Sequence, residues 1–384
     1  MAFENFLSDE QQSWRDTCNR FIDREITREY IRKCDMERTY YYEAYEKIAA
    51  QGWLGLMIPE DQGGIGGDAM DWVIFFEAMG KYSNDFSAAT LGVSMYTAQA
   101  LLHFGRADQV AQYIDAYLKA KVRFCIAISE PQAGSDAAAI RTRAKKDGED
   151  YLVTGLKQWC SGSSAKGAII AMLVRTDPES TRRSGLTVLL VPNDLPNLEL
   201  RKLNTLARRG TGTNQIFLDE VRVPSANRLG LEGQGWEIIT SHLELERLSI
   251  AASMMGCAQQ AVTDALQYAH AREQFGQTIF NFQVLKHMLA DMQTKVDAAR
   301  LLVYRAAGMH QAGQPCGREV SMAKLFASET LQEVTRNGVQ IMGGHGMLPE
   351  ADMERYFREG MQATVGGGSS QIMRTIIAQS MKKK

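Results

Sequence analysis

Residues 364–374 read TVGGGSSQIMR, and the rest of the chain is best read outward from them. Gly366, Gly367 and Gly368 free the backbone and let a ligand approach the main chain closely. Ser369, Ser370 and Gln371 supply donors just where the apolar run at 372–378 predicts a helix, so free N–H groups at a helix entrance can meet a polar ligand. Taken alone, the stretch also reads as a glycine turn with a serine N-cap.

The chain has 384 residues, enough for two or three domains. Apolar residues make up 45%, as in soluble globular proteins. A formal charge of −2 gives no electrostatic case for nucleic acid or an anionic membrane. No apolar run approaches a bilayer span, and the start, MAFENFLSDEQ, lacks the basic and apolar regions of a signal peptide. Cys18, Cys34, Cys125, Cys160, Cys257 and Cys316 are scattered without paired metal spacing. They read as reduced thiols of a cytoplasmic protein, with no metal site expected. Lys382, Lys383 and Lys384 read as a solvated terminus.

Residues 1–120 read as helical. Ser8 followed by Glu10 and Gln11 is a helix start, and Trp14, Cys18, Phe21 and Ile22 fall at helical spacing. The segment 58–64, IPEDQGG, is a loop; helical patterns resume at 70–82 and 88–104. Between about 121 and 232 the pattern changes. Five of the eight prolines lie here, which argues against long helices. The short β-branched runs 169–174, 186–191 and 216–223 predict strands of a β domain. From 233 to 384 the chain is helical again, with a run at 236–269 nearly free of breakers, then 282–310 and 320–342. The expected fold is mainly α with a central β domain: an N-terminal helical domain, a barrel-like β domain and a C-terminal four-helix bundle.

Five further stretches carry candidate chemistry, and each has a plainer reading beside it. Residues 129–136, SEPQAGSD, follow a strand-like run at 124–128 and can present N–H and O–H donors to a flat ligand, or form an ordinary Pro-Gly turn. Trp159 and Ser161 in KQWCSG can wall a planar cofactor, or Trp159 is a core residue at a strand end. Arg272, in REQFG, suits phosphate oxygens, or the dipole at a helix C-terminus. Gln340, Gly343 and Gly344 lie at a helix end closed by glycines; His345 beside them reads as a loop histidine. Finally, Glu246, Ile250, Ser253 and Cys257 share one largely uncharged helical face. A carboxylate there is partly desolvated and suits a general base, or it is a surface charge or a structural ion-pair partner.

These stretches, in this order and on this plan, resemble the acyl-CoA dehydrogenase family. The resemblance spans nearly the whole chain, including Ser8 to Gln11, the loop at 58–64, and Pro224 followed by Leu229-Gly230. It implies an FAD enzyme. Ile126, Ile128 and Ser129 would contact the flavin, with Trp159 and Ser161 along its rings. Arg272, Gln274 and Phe275 would bind the pyrophosphate and adenosine parts. Gln340, Gly343 and Gly344 would reach the FAD of a neighbouring subunit, and Ser369 and Gln371 would hold the dinucleotide. Ser135, Glu244 and Arg247 match acyl-CoA contacts, while Gly367 and Gly368 match backbone contacts to the thioester carbonyl. Val93 and Tyr96 are placed in the acyl pocket.

One departure is informative. Many members carry the catalytic glutamate at the position of Gly367, and glycine cannot abstract a proton. Members resembling isovaleryl-CoA and long-chain acyl-CoA dehydrogenases place the base on the long helix directly before an arginine, which here is Glu246. The resemblance then implies removal of the α-proton by Glu246 and of the β-hydride by the flavin, yielding a trans-2-enoyl-CoA. It further implies electron transfer to an electron-transfer flavoprotein, and a homotetramer. An enoyl-CoA reductase acting on carnitine-like thioesters and a catalytically silent acyl-CoA- or flavin-binding protein are the alternatives on the same scaffold.

Overall fold

The structure is a computed structural model and describes residues 7–180 and 183–382, so Lys383 and Lys384 of the basic end lie outside the described residues. Among these residues the helices are α1 (Asp9–Glu25), α2 (Arg28–Glu37), α3 (Tyr42–Ala50), α4 (Ala69–Gly80), α5 (Val93–Phe104), α6 (Ala107–Leu118), α7 (Gly235–Ser241), α8 (Leu243–Ala271), α9 (Gln283–Gln311), α10 (Gly317–Met342), α11 (Met353–Ala363) and α12 (Ser370–Ser380). The strands are β1 (Arg123–Ala127), β2 (Arg143–Asp147), β3 (Asp150–Ser161), β4 (Ala168–Arg175), β5 (Leu186–Pro192), β6 (Leu198–Leu203), β7 (Thr213–Pro224) and β8 (Arg228–Leu229), followed by the short pair β9 (Glu273–Gln274) and β10 (Gln277–Thr278). The helical, β, helical order expected from the sequence is the observed architecture. The chain divides into two compact units. One is drawn from Met1–Met36, Asp68–Ala88 and Glu244–Lys384, the other from Glu37–Gly67 and Ala89–Leu243.

The first unit is helical. Ser8 opens α1 with a capping box: its hydroxyl accepts from Gln11 N, and Gln11 Oε1 accepts from Ser8 N. Nearly all of α4 is buried, and the Trp72 indole donates to Leu245 O at 3.0 Å. Gly80 and Gly256 let α4 and α8 pack backbone to backbone; a β-carbon at Gly256 would stand 2.0 Å from Glu77 O. A buried charge network ties α2 to α8 and α11. Arg358 forks onto Asp35 at 2.6 and 3.1 Å and onto Glu354, Arg28 onto Asp264, and Arg32 onto Asp352. Removing one partner of such a pair costs about 3–5 kcal/mol, because the other charge is left buried.

The second unit is organised by one eight-stranded sheet in the order β6-β7-β3-β2-β4-β5-β8. β1 runs parallel along β4 from Arg123↔Ala168 to Ala127↔Met172, and β2 meets the same strand at a single pair, Arg143↔Arg175. The sheet wraps a core that includes Tyr151, Val153, Ile170, Met172, Leu189, Val191, Ile216 and Val221. The runs expected as strands are β4, β5 and the latter part of β7. β2 and β6 are strands beyond those expected; RAKKD is mostly polar, and LELRKL is half polar with few β-branched residues to mark it.

One expectation is corrected. The breaker-free run 236–269 is two helices, since the chain breaks at His242 with φ −113° and ψ 15°. Thr240 and Ser241 turn their hydroxyls back onto Trp236 O and Ile238 O, and Ser241 Oγ lies 2.8 Å from His242 Nδ1. Such local bonds compete with the helical ladder.

Candidate active site

In the first unit, α8 presents Glu246 at the start of a face that continues through the buried Ile250, Ser253 and Cys257. Glu246 itself is half-buried, so the surface-charge reading fails. Burial pushes its carboxyl above the usual carboxylate range, and the positive charges of Arg247 and Lys324 act against that rise. The glycine loop stands at the same corner. Gly367 has φ +64°, and a β-carbon on it would lie 2.5 Å from Ile250 Cδ1; Gly368 has φ +89°, and its β-carbon would lie 2.7 Å from Met373 Cε. Both positions therefore favour glycine by conformation, and a side chain there would also have to displace the tips of Ile250 and Met373. The N–H groups of Gly367 and Gly368 have no acceptor among the described residues, which leaves two donors open for a ligand. Ser369 then caps α12, its hydroxyl accepting from Ile372 N at 3.3 Å, with Gln371 exposed in the first turn.

Lys324 carries no signal in the sequence that sets it apart from other helical charges. Its side chain is fully buried, and its ammonium donates to Gly368 O at 2.7 Å and Ala363 O at 3.1 Å. Thus Glu246, Arg247, Gly367 and Gly368 come together around Ile250 and Lys324. Glu244 lies in the first turn of α8, where its carboxylate accepts from Cys316 Sγ at 3.3 Å.

The remaining residues of this unit lie elsewhere. Arg272, Gln274 and Phe275 follow the other end of α8, on the hairpin β9–β10. Phe275 and Gly276 form its turn with φ +53° and +77°, and Phe275 is 93% exposed. Along the axis of α8, Glu246 and Arg272 are about 40 Å apart at 1.5 Å per residue. Gln340, Gly343 and Gly344 end α10, where Gly343 turns the chain at φ +57°. His345, the expected loop histidine, lies in the short turn after them and stacks on Tyr268, ring centres 5.1 Å apart.

In the second unit, β1 carries Ile126 and leads into Ile128 and Ser129. Lys157, completely buried, donates to Ile128 O at 3.1 Å and to Glu130 Oε1 at 2.8 Å. Glu130 also receives the Arg141 and Thr142 N–H groups, so the loop after β1 is pinned from within. Burial alone would raise the Glu130 carboxyl, but Lys157 and these bonds outweigh it and hold the group down at about 2. Opposite, β3 slips register between Lys157 and Cys160. The bulge turns Trp159 out of the sheet at φ +65°, leaving it 57% exposed, so it is not a core residue. A bulky residue with positive φ is strained, and such strain collects at ligand sites. Ser161 Oγ pairs with Thr213 Oγ1 at 3.3 Å. Ser135 lines an open cleft of about 800 Å³ with Asp136, Arg183 and Trp236, the Arg183 guanidinium lying 4.9 Å over the Trp236 ring. Tyr96 lines a small apolar pocket with Ile126 and Ile238, its hydroxyl fixed on Ile239 O.

Each unit, taken by itself, has features suited to a flavin dinucleotide: in the second an exposed indole held out by a bulge, in the first open main-chain donors beside a capped helix start.

Comparison with known proteins agrees. Profiles described as the acyl-CoA dehydrogenase N-terminal, middle and C-terminal domains match residues 8–121, 125–221 and 233–382. The probable acyl-CoA dehydrogenase YngJ of Bacillus subtilis is 33% identical over 384 residues, covering all of both chains. CarC, a subunit of the caffeyl-CoA reductase-Etf complex of Acetobacterium woodii, is 32% identical over 381 residues, covering 99% of this chain and 100% of that one. The butyryl-CoA dehydrogenase of Megasphaera elsdenii superposes with a TM-score of 0.90 at 26% identity, with 98% of each chain covered. Matched over nearly its whole length and sharing the fold, the chain belongs to the acyl-CoA dehydrogenase family of FAD-dependent oxidoreductases acting on the CH–CH bond of acyl-CoA.

Proposed function

We propose that this chain dehydrogenates an acyl-CoA thioester to the trans-2-enoyl-CoA with Glu246 as the general base. The observation that carries the reading is the contrast at one corner of the first unit. Gly367 offers no side chain and turns at φ +64° against Ile250, while Glu246, one helical turn before Ile250, holds a desolvated carboxylate there. In this reading the open N–H groups of Gly367 and Gly368 receive the thioester carbonyl oxygen and stabilise the enolate charge that develops on it. Glu246 takes the α-proton at its carboxylate oxygen. Arg247, Glu244 and Ser135 orient the acyl-CoA, and Val93 and Tyr96 bound its acyl group. The FAD, when bound, supplies hydride acceptance at the β-carbon.

Ile126, Ile128, Ser129, Trp159 and Ser161 border the flavin, and Ser369 and Gln371 its dinucleotide. Arg272, Gln274, Phe275, Gln340, Gly343 and Gly344 serve the dinucleotide of a neighbouring copy. The separation of Glu246 from Arg272, longer than a dinucleotide reaches, supports a homo-oligomer, here taken as a homotetramer. The enzyme is read as cytoplasmic, with an electron-transfer flavoprotein as the electron acceptor. Among the described residues no helix is long and apolar enough to cross a membrane.

A second reading, an enoyl-CoA reductase, is favoured by one finding: a relative named as a reductase subunit stands at nearly the same identity as one named a dehydrogenase. Both directions use the same groups. Anaerobic titration of the holoenzyme with straight-chain, branched and bulky acyl-CoAs tests the proposal. One class bleaches the flavin, and Glu246→Gln slows the bleaching by about 10²–10⁴-fold, the usual worth of a positioned base. Bleaching at the wild-type rate in the variant refutes the assignment of the base. Flavin that stays oxidised with every saturated thioester, yet is reoxidised by an enoyl-CoA after chemical reduction, selects the reductase. Inertness to both selects a silent binding protein.

A further inference from the structure

We infer that Lys324 is a positioning residue for this reaction: from inside α10 it grips the two ends of the glycine loop at the corner that holds Glu246. This inference rests on the reading of Glu246 as base.

The geometry begins with burial. Lys324 shares its face of α10 with Val320, Ser321, Ala327, Ser328 and Leu331, all buried, and its own side chain is fully enclosed. An ammonium in such a place needs firm acceptors, since desolvating it alone is costly. It finds two main-chain carbonyls, Ala363 O at the end of α11 and Gly368 O just before α12. One side chain thus spans the whole turn that joins those helices. The turn has further internal bonds, Val365 N and Gly366 N to Gln362 O and Ser370 N to Thr364 O, but none of these involves Gly367 or Gly368. Lys324 fixes that last portion, the one carrying the two open donors. Its Cε also lies 3.9 Å from where a Gly367 β-carbon would be, so its stem forms part of the floor under the loop.

The same charge acts on the base. The charged groups that bear on Glu246 are Arg247, from its own helix, and Lys324, from α10. Both favour the ionised carboxylate against burial. Burial favours the neutral acid and the two cations favour the carboxylate that accepts the α-proton, so one residue acts on both the donor loop and the base.

Three variants of the holoenzyme separate these roles: Lys324→Met, which removes donor and charge; Lys324→Gln, which keeps a donor and removes the charge; and Lys324→Arg, which keeps the charge in a different shape. Hydrogen exchange is followed in the peptide covering residues 363–370. It speeds up by roughly tenfold or more in Lys324→Met, which loses both hydrogen bonds, and less in Lys324→Gln. The acidic limb of the kcat/KM profile moves to higher pH in both neutral variants and stays in place in Lys324→Arg, whereas a merely structural lysine would leave it unmoved. Unchanged exchange together with an unmoved acidic limb in the neutral variants overturns the inference. Should Lys324→Met fail to fold, Lys324→Gln gives the same decision through the acidic limb. Glu246→Gln run in parallel keeps the two ideas apart. Wild-type turnover in that variant removes the base assignment while the exchange result still judges the clamp; lost turnover with Lys324→Gln indistinguishable from wild type removes Lys324 alone.

Discussion

Replacing Gly367 by alanine tests how closely the donor loop is fitted against α8. At φ +64° a β-carbon meets the following carbonyl, which costs about 1–2 kcal/mol. Its 2.5 Å approach to Ile250 Cδ1 adds about 1 kcal/mol, toward the low end for overpacking because the obstacle is the tip of a side chain. Against this, alanine restricts the unfolded chain and returns about 0.4–1 kcal/mol. The expected net loss is about 1–2.5 kcal/mol. Ile250→Val deletes the obstructing methyl and itself costs about 0.5–1.5 kcal/mol. In that background Gly367→Ala should cost about 1 kcal/mol less, a coupling that a double-mutant cycle reads directly. The assay is urea unfolding followed by far-ultraviolet circular dichroism on the four proteins, at one protein concentration so that assembly contributes equally. A neutral or stabilising Gly367→Ala, or strictly additive single effects, would refute the reasoning that this position is fitted to glycine by its φ and by Ile250.

Two other outcomes follow from the second unit. The Glu130 carboxyl is held at about 2 in the folded protein, below its unfolded value, so its stabilisation is present above the ordinary carboxylate range and is lost as pH falls toward 2. Lys157→Met should therefore cost about 3–5 kcal/mol at neutral pH, with the deficit shrinking on acidification, as thermal melts across pH 3–7 would record. Trp159→Gly should relieve about 1–3 kcal/mol of backbone strain and raise apoprotein stability. The same change should weaken FAD retention, measured by fluorescence of released flavin on dilution; tighter retention would contradict the role given to the indole.

Several of these features could be read from the chain before any coordinates. The Ser8–Gln11 start has its own local chemistry, and the β4 and β5 runs, β-branched and bounded by turn residues, declare themselves without a partner. The glycine triplet and the Glu246-Arg247 pair stood out because special backbone and charge on an apolar face are both local signals. What was not legible depends on contact between distant residues. Nothing near Lys324 says that its ammonium will meet carbonyls some forty residues later, and nothing near Lys157 says that it will meet Glu130. Trp159 looked as much like a core residue as a ligand wall, because the bulge that exposes it is set by register against β7. The break at His242 escaped notice because Thr240, Ser241 and His242 are each tolerated in helices; their combined local bonds end one here.

The way the first unit is assembled from separate stretches of chain has a consequence for how the protein is made. During synthesis α1, α2 and α4 emerge first, and the whole of Ala89–Leu243 must follow before α8 begins to appear. At 5–20 residues per second that interval is on the order of ten to thirty seconds. Throughout it Trp72 lacks the Leu245 carbonyl it will bond and Gly80 the α8 backbone it will pack against, and Arg28, Arg32 and Asp35 wait for partners at Asp264, Asp352 and Arg358. The second unit can close meanwhile, as its pieces are complete by Leu243. The nascent chain is thus a finished domain tethered to an unfinished, sticky one, a form that molecular chaperones shield, and a premature stop anywhere before α11 would release it in that state.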